Sequence, residues 1–141
     1  MALVYFDTSV IFSLHILDTN TEKLTEISSK LRGGFAISAW TRTEIASALG
    51  IMVRRKDLSA MDAHAAFKDM QAFCNKAQNL PVTAAAYDLA TRWMQNFDLG
   101  LRAGDALHGA ICKLNKAQLF SADHGLVKAM QHLGQKPLVY S

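Results

Sequence analysis

The sequence predicts an α/β protein, with a mainly parallel, twisted sheet between two helical layers in a three-layer α/β/α arrangement. Three observations predict it. Apolar runs of strand length alternate with segments of helical period along the whole chain. No repeat, low-complexity stretch or Gly/Pro/Ser-rich linker divides the 141 residues, which suffice for one sizeable core, so a single domain over 1–141 is expected. Half of the residues are hydrophobic and 19% are charged, a balance that excludes disorder as the main state. Strands separated by helices connect by right-handed crossovers, which makes the strands parallel and covers both faces of the sheet.

The first strand is expected over 3–6, and Asp7-Thr8-Ser9 directly after it suits the cap of a helix over 10–16. Leu24, Ile27 and Leu31 mark a second helix, stopped by Gly33-Gly34. A strand over 35–40 follows, and Thr41 opens a helix striped by Ile45, Ala48, Leu49 and Met52. Ser59 caps a helix carrying Ala63, Phe67, Met70, Cys74 and Ala77. Leu80-Pro81-Val82 is a weak strand, because Pro81 has no N–H for a ladder and belongs at an edge or a strand start. Thr83 precedes a helix with Ala86, Ala90, Trp93, Met94 and Phe97. Another helix begins near Ala103, its stripe at Leu107, Ala110, Ile111 and Leu114. A strand over 118–121, a short helix over 125–133 and a last strand over 138–140 complete the chain.

Fifteen Lys and Arg against twelve Asp and Glu leave a charge of +3, mildly favourable for a polyanion and by itself undiagnostic. Cys74 and Cys112 are no disulfide framework and read as buried thiols in a reducing compartment. The apolar stretch over 3–17 is interrupted by Asp7, lacks a basic leader and has no Ala-x-Ala site, and no run approaches a membrane span of roughly 18 to 20 residues. A cytoplasmic protein without a membrane partner is expected.

In an open parallel sheet ligands bind beyond the carboxyl ends of the strands. Asp7 and Asp123 follow strands there, and Glu44 and Asp105 lie in the first turns of expected helices. Each has a structural alternative. Asp7 and Asp123 read equally as helix caps. Glu44 completes a Thr41-x-x-Glu44 capping box, with Trp40 and Ile45 as its staple, and on local grounds that reading leads. Asp105 could simply complement a helix dipole, but it shares with Gly109 and Cys112 the side of its helix away from the apolar stripe, where Gly109 would admit a ligand or backbone. As a set, four carboxylates converging without a cation would repel and raise one another's pKa values, and a divalent ion removes that cost. Oxygen-only donors select Mg2+ or Mn2+, whose chemistry is hydrolytic phosphoryl transfer.

The segments Tyr5-Phe6-Asp7-Thr8-Ser9, Thr43-Glu44-Ile45, Gly104-Asp105-Ala106-Leu107-His108 and Phe120-Ser121-Ala122-Asp123 resemble, in order and spacing, the motifs of PIN-domain ribonucleases, and among these the VapC toxins of bacterial type II toxin-antitoxin modules. The resemblance spans residues 7 to 123. It implies a PIN fold, metal-dependent endoribonuclease activity on RNA, a homodimer and inhibition by a small antitoxin. It also implies Asp7, Glu44, Asp105 and Asp123 as the acidic ligands of Mg2+ or Mn2+, with Ser9 and Ser121 as polar residues beside the first and last acids.

His108 and His124 adjoin these acids, but their spacing is no zinc motif, and both read first as ordinary histidines. Arg102 is the candidate phosphate contact at the cleft. Arg54-Arg55-Lys56 is either a solvated helix end or a further phosphate contact, and Trp40 is a candidate for base stacking. Trp93, Met94 and Phe97 read as core or dimer interface. Three functions compete: an endoribonuclease cutting an exposed loop of structured RNA, a phosphatase or phosphotransferase with Asp7 as nucleophile, and a non-catalytic RNA- or partner-binding module. Haloacid-dehalogenase-like hydrolases place a second Asp two residues after the nucleophile, where this chain has Ser9, and a pure RNA binder gains nothing from acids facing phosphates.

Overall fold

The computed structural model describes residues 3–31, 33–138 and 140. Among them, four strands form one parallel sheet: β1 (Leu3–Phe6), β2 (Phe35–Ser38), β3 (Gln78–Leu80) and β4 (Ala117–Phe120), in the order β3-β2-β1-β4. The helices are α1 (Thr8–His15), α2 (Thr21–Ser29), α3 (Ala39–Arg54), α4 (Ala60–Cys74), α5 (Ala84–Met94), α6 (Ala103–Leu114) and α7 (His124–His132), with a 3-10 turn at Phe97–Leu99.

Side-chain alternation along the central strand builds the three layers. Tyr5 points to a core shared with Leu89 and Ala90 of α5, Ala106 and Ile111 of α6, and Met130 of α7. Val4 and Phe6 point to the opposite core, with Ile11 of α1, Leu24 of α2, Ile45 of α3 and Met70 of α4. Each face of the sheet is therefore sealed by helices, which is what an all-parallel sheet requires.

Several element boundaries depart from the sequence reading. The strand expected over 35–40 stops at Ser38, and the helix expected to open at Thr41 begins at Ala39. Ser38 occupies the cap position, its backbone N–H donating to the Thr41 hydroxyl at 3.2 Å. The expected Thr41-x-x-Glu44 capping box is thus replaced by one set three residues earlier. Pro81 follows β3 and does not sit within it, and β3 is the edge strand. Thr83 caps α5 as expected, but α5 ends at Met94, leaving Phe97 on the 3-10 turn, 88% exposed. For the last expected strand, Leu138 makes one parallel bridge to Phe120, and Val139 lies outside the described residues.

All strands of a parallel sheet end at the same edge. The register pairs Phe6 with Phe120, so the residues that follow β1 and β4 emerge side by side, and the Asp7 N–H donates to the Phe120 carbonyl at 3.2 Å. The N-termini of α1 and α7 start from this edge, and those of α3 and α6 lie close enough for Glu44 and His108 to bond.

Candidate active site

Asp7 is the cap of α1 and is only 3% exposed. Its Oδ1 accepts from the Ser9 hydroxyl at 2.6 Å and from the Val10 N–H at 3.3 Å, while Oδ2 accepts from the Ser121 hydroxyl at 2.6 Å. Ser121 also accepts from the Asp123 N–H at 3.0 Å, and Ser9 from the Ala122 N–H at 2.9 Å. The two serines therefore tie the ends of β1 and β4 to one carboxylate. Asp123 caps α7, its Oδ1 accepting from Gly125 and Leu126 N–H groups. Both capping readings hold for these acids. They do not compete with a ligand role, since each carboxylate has two oxygens and about four lone-pair sites.

Glu44 is the sixth residue of α3, beyond the first-turn N–H groups that a capping side chain would satisfy. Its Oε1 accepts instead from the Thr8 hydroxyl at 2.7 Å and from His108 Nε2. His108 is 1% exposed, and its Nδ1 meets the Tyr5 hydroxyl at 2.7 Å. The sequence reading of His108 as an ordinary histidine missed this bond. Thr8, Tyr5 and Ser38 were not singled out either, and Thr41 only as a helix cap. Tyr5 carried one faint signal, a hydroxyl in the middle of an otherwise apolar strand.

Asp105 lies in the first turn of α6, 3.7 Å from Arg102 Nε, with the Arg102 side chain 84% exposed. The adjacent Gly104 permits a tight approach: a Cβ there would stand 2.9 Å from Glu44 Oε2 and 3.1 Å from the Trp40 ring. Trp40 is half-buried and donates from Nε1 to the Gly104 carbonyl at 3.3 Å, so it braces the start of α6. Glu44, Asp105, Arg102 and Trp40 line a cleft of about 470 Å3 that continues along α3 past Ser47 to Ile51. Asp7 and Asp123 are not among its walls. Arg54, Arg55 and Lys56 are exposed at the far end of α3 and do not line the cleft. His124 is exposed and lies against Tyr140.

The expected role of Gly109 is corrected. It faces no opening: a Cβ there would lie 2.4 Å from Met130 Sδ and 3.1 Å from the Trp93 ring, so the glycine lets α6 pack against α7 and α5. Cys112 is likewise buried, and α6 is buried continuously from Ala106 to Cys112. Trp93 packs against the core, which settles its place, whereas Phe97 does not belong to it.

The electrostatics follow from this burial. Desolvation pushes the Asp7 pKa up, against the opposing influence of His108 and the two serine hydroxyls. Asp105 is also raised, first by burial, then by the negative charge of Asp123, with Arg102 opposing and Asp7 adding to it. Burial works in the same direction on Glu44, but the hydrogen bond and charge of His108, helped by Thr8 and Arg102, bring it below its ordinary value. Among the described residues no three His, Cys, Asp or Glu side chains stand in a ready ligand geometry. The donor set nevertheless fits a hard divalent ion, because it is made of carboxylate oxygens, and the charges of Asp123 and Asp7 raise the pKa of Asp105 beside the buried Asp7.

A family model for the PIN domain matches residues 4–130. No curated protein sequence matches the chain significantly. Among solved structures, VapC20 of Mycobacterium tuberculosis, a Sarcin-Ricin loop cleaving toxin, superposes with a TM-score of 0.73 at 17% identity, covering 96% of this chain and 98% of that one. VapBC-1 from nontypeable Haemophilus influenzae gives 0.67 at 13% identity over 94% and 92% of the two chains. VapBC2 from Rickettsia felis, bound to a DNA fragment from its promoter, gives 0.63 at 10% identity over 92% of each. At such identities the likeness establishes the fold.

Proposed function

The chain belongs to the PIN domain family, and from that premise we propose that it is a Mg2+- or Mn2+-dependent endoribonuclease, the toxin of a toxin-antitoxin pair. The observation that carries the reading is the buried Asp7 carboxylate at the shared edge of β1 and β4, near enough to Asp105 that its charge and that of Asp123 push the Asp105 pKa up. Burial disfavours the charged form of Asp7 even with its cap and serine hydrogen bonds, and a divalent cation would offset that cost. The VapC and VapBC structures of the same fold support the toxin reading.

Asp7, Glu44, Asp105 and Asp123 would hold the ion, which when bound supplies a water activated near neutral pH and neutralises charge on the scissile phosphate. The chain's own residues prepare that place. Ser9 and Ser121 occupy one lone pair on each Asp7 oxygen and fix the plane of the carboxylate. Thr8 and His108 hold Glu44 by one oxygen. Arg102, its side chain 84% exposed, stands at the cleft to meet a phosphate, and Trp40 offers a half-buried ring beside it. A recessed acidic site of this kind suits an unstacked nucleotide in an exposed RNA loop better than a regular helix.

The covalent alternative fares worse. The second Asp that haloacid-dehalogenase-like hydrolases place two residues after a nucleophilic Asp is Ser9 here, and Ser9 donates to Asp7 Oδ1 at 2.6 Å. The partners that belong to the toxin reading are an RNA substrate, a second copy of the chain and a small antitoxin presenting Arg or Lys to the acids, all in the cytoplasm. No helix among the described residues is long and apolar enough to cross a membrane.

The deciding assay follows cleavage of a structured RNA by the purified protein with Mg2+, with Mn2+ and in excess EDTA. Cleavage is expected with either ion and absent in EDTA, and Asp7→Asn is expected to lower it by at least about 100-fold. Undiminished cleavage in EDTA, or a fully active Asp7→Asn protein, sinks the proposal.

A further inference from the structure

Three segments far apart in sequence meet in one buried polar cluster behind Glu44. Tyr5 lies on the central strand and His108 on the second turn of α6, while Ser38 and Thr41 come from the junction of β2 and α3; none is more than 1% exposed. The Tyr5 hydroxyl reaches His108 Nδ1 at 2.7 Å, Ser38 Oγ at 2.8 Å and Thr41 Oγ1 at 3.3 Å. Across the ring, His108 Nε2 donates to Glu44 Oε1, the same oxygen that accepts from Thr8 at 2.7 Å. Among the described residues no hydrogen bond is made to Oε2, and that oxygen lies against Gly104, where a methyl group would come within 2.9 Å.

Burying this many polar groups is unfavourable unless every one is bonded, and apolar side chains of the same volume would fill the space at lower cost. The cluster also has a direction. His108 uses both ring nitrogens, so turning the ring breaks two bonds at once, and Tyr5, anchored by two hydroxyls, holds the ring from behind. A glutamate has three side-chain torsions, and bonding one of its oxygens from two sides removes most of that freedom while leaving the other oxygen without a hydrogen bond among the described residues.

We infer that His108, backed by Tyr5, is a positioning residue that grips Glu44 by Oε1 so that Oε2 is presented to the divalent ion. The inference rests on the proposed reading of Glu44 as an acidic ligand. It assigns His108 no contact with RNA and no proton to transfer.

The test measures Mn2+ binding to the metal-free protein directly, by the electron paramagnetic resonance signal of free Mn2+ during a titration, with the thermal midpoint recorded alongside. His108→Leu keeps the volume and removes both bonds, His108→Gln keeps an N–H directed at Glu44, and Tyr5→Phe removes one oxygen. His108→Leu is expected to weaken Mn2+ binding by about 10- to 100-fold, the scale for outer partners of a ligand, and Tyr5→Phe by about 3- to 10-fold. His108→Gln is expected to recover most of the loss.

Unchanged Mn2+ affinity in both His108→Leu and Tyr5→Phe, with weakened binding in Glu44→Gln, overturns the inference and leaves Glu44 a ligand. Unchanged affinity in Glu44→Gln overturns the reading beneath it. Should His108→Leu fail to fold, Tyr5→Phe decides alone, and wild-type affinity there overturns the inference. Recovery of the thermal midpoint by His108→Gln without recovery of affinity also overturns it, because that is the signature of packing alone.

Discussion

At Asp7 the protein holds a carboxylate where a neutral side chain would be more stable. Burial raises its pKa, so the folded state keeps the proton more tightly than the unfolded chain does. The sign follows: no penalty exists below the ordinary carboxylate value, it grows as pH rises through the interval up to the raised value, and it is complete above that. Asp7→Asn abolishes the penalty and keeps the shape. In metal-free protein the variant is therefore expected to melt higher than wild type, on the order of 2 to 5 °C near neutral pH, with a gap that closes as the pH falls below the ordinary Asp range. Paired thermal scans from pH 3 to 8 check this, and a gap that widens on acidification refutes it. Saturating Mg2+ should narrow the gap, because a bound ion compensates the wild-type charge alone.

On the scale of elements, α6 carries four tasks in two turns. Its first turn presents Asp105 and makes room for Glu44 at Gly104, its second turn holds His108, and Gly109 brings the helix against Met130 and Trp93. Adding a methyl at Gly109 would overlap Met130 Sδ at 2.4 Å in a fully buried position, which is overpacking rather than a change of helix propensity. Gly109→Ala is expected to lose about 1–3 kcal/mol by denaturant unfolding, despite the better propensity of Ala. A second substitution, Met130→Val, should return part of that loss, and simple additivity of the two losses would show that the contact is not the cause. Helix α3 makes the complementary point. Starting at Ala39, it places Glu44 past the turn whose N–H groups need caps, and so frees the carboxylate for Thr8 and His108.

At the scale of the whole molecule, a chain of net charge +3 brings Asp7, Asp105 and Asp123 near one edge of its sheet. Such an edge repels RNA until an ion neutralises it, and it attracts an Arg- or Lys-bearing protein segment when no RNA is there. Under the proposed function, expression of the chain alone should arrest growth, and co-expression of a small partner encoded beside it should restore growth and abolish RNA cleavage by the purified complex. Growth unaffected by the active protein would remove the toxin reading and leave the nuclease reading standing. The restoring partner should lose affinity by at least about tenfold when its Arg or Lys facing the acids is replaced, the scale for a buried charge pair losing one member.

The parallel α/β class, the strand over 3–6 followed at once by Asp7, and the caps at Asp7, Ser59 and Asp123 were all legible in the sequence, because they depend on local periodicity and on neighbours within four residues. The candidate acids were picked out for the same reason, Asp7 and Asp123 just beyond strands and Asp105 in the first turn of α6, whereas Glu44 lies past the first turn of α3, where the sequence had placed it. The start of α3 was misplaced since both Ser38 and Thr41 are good caps, and the choice fell to Ser38 once β2 had paired with β1 and β3. Gly109 and His108 could not be read at all from their surroundings in the chain. What decided them lies 21 residues away at Met130 for one, and at Tyr5 and Glu44 for the other. Periodicity specifies which face of an element is buried, but which polar groups meet inside depends on how the crossovers stack those faces, and only the tertiary structure sets that.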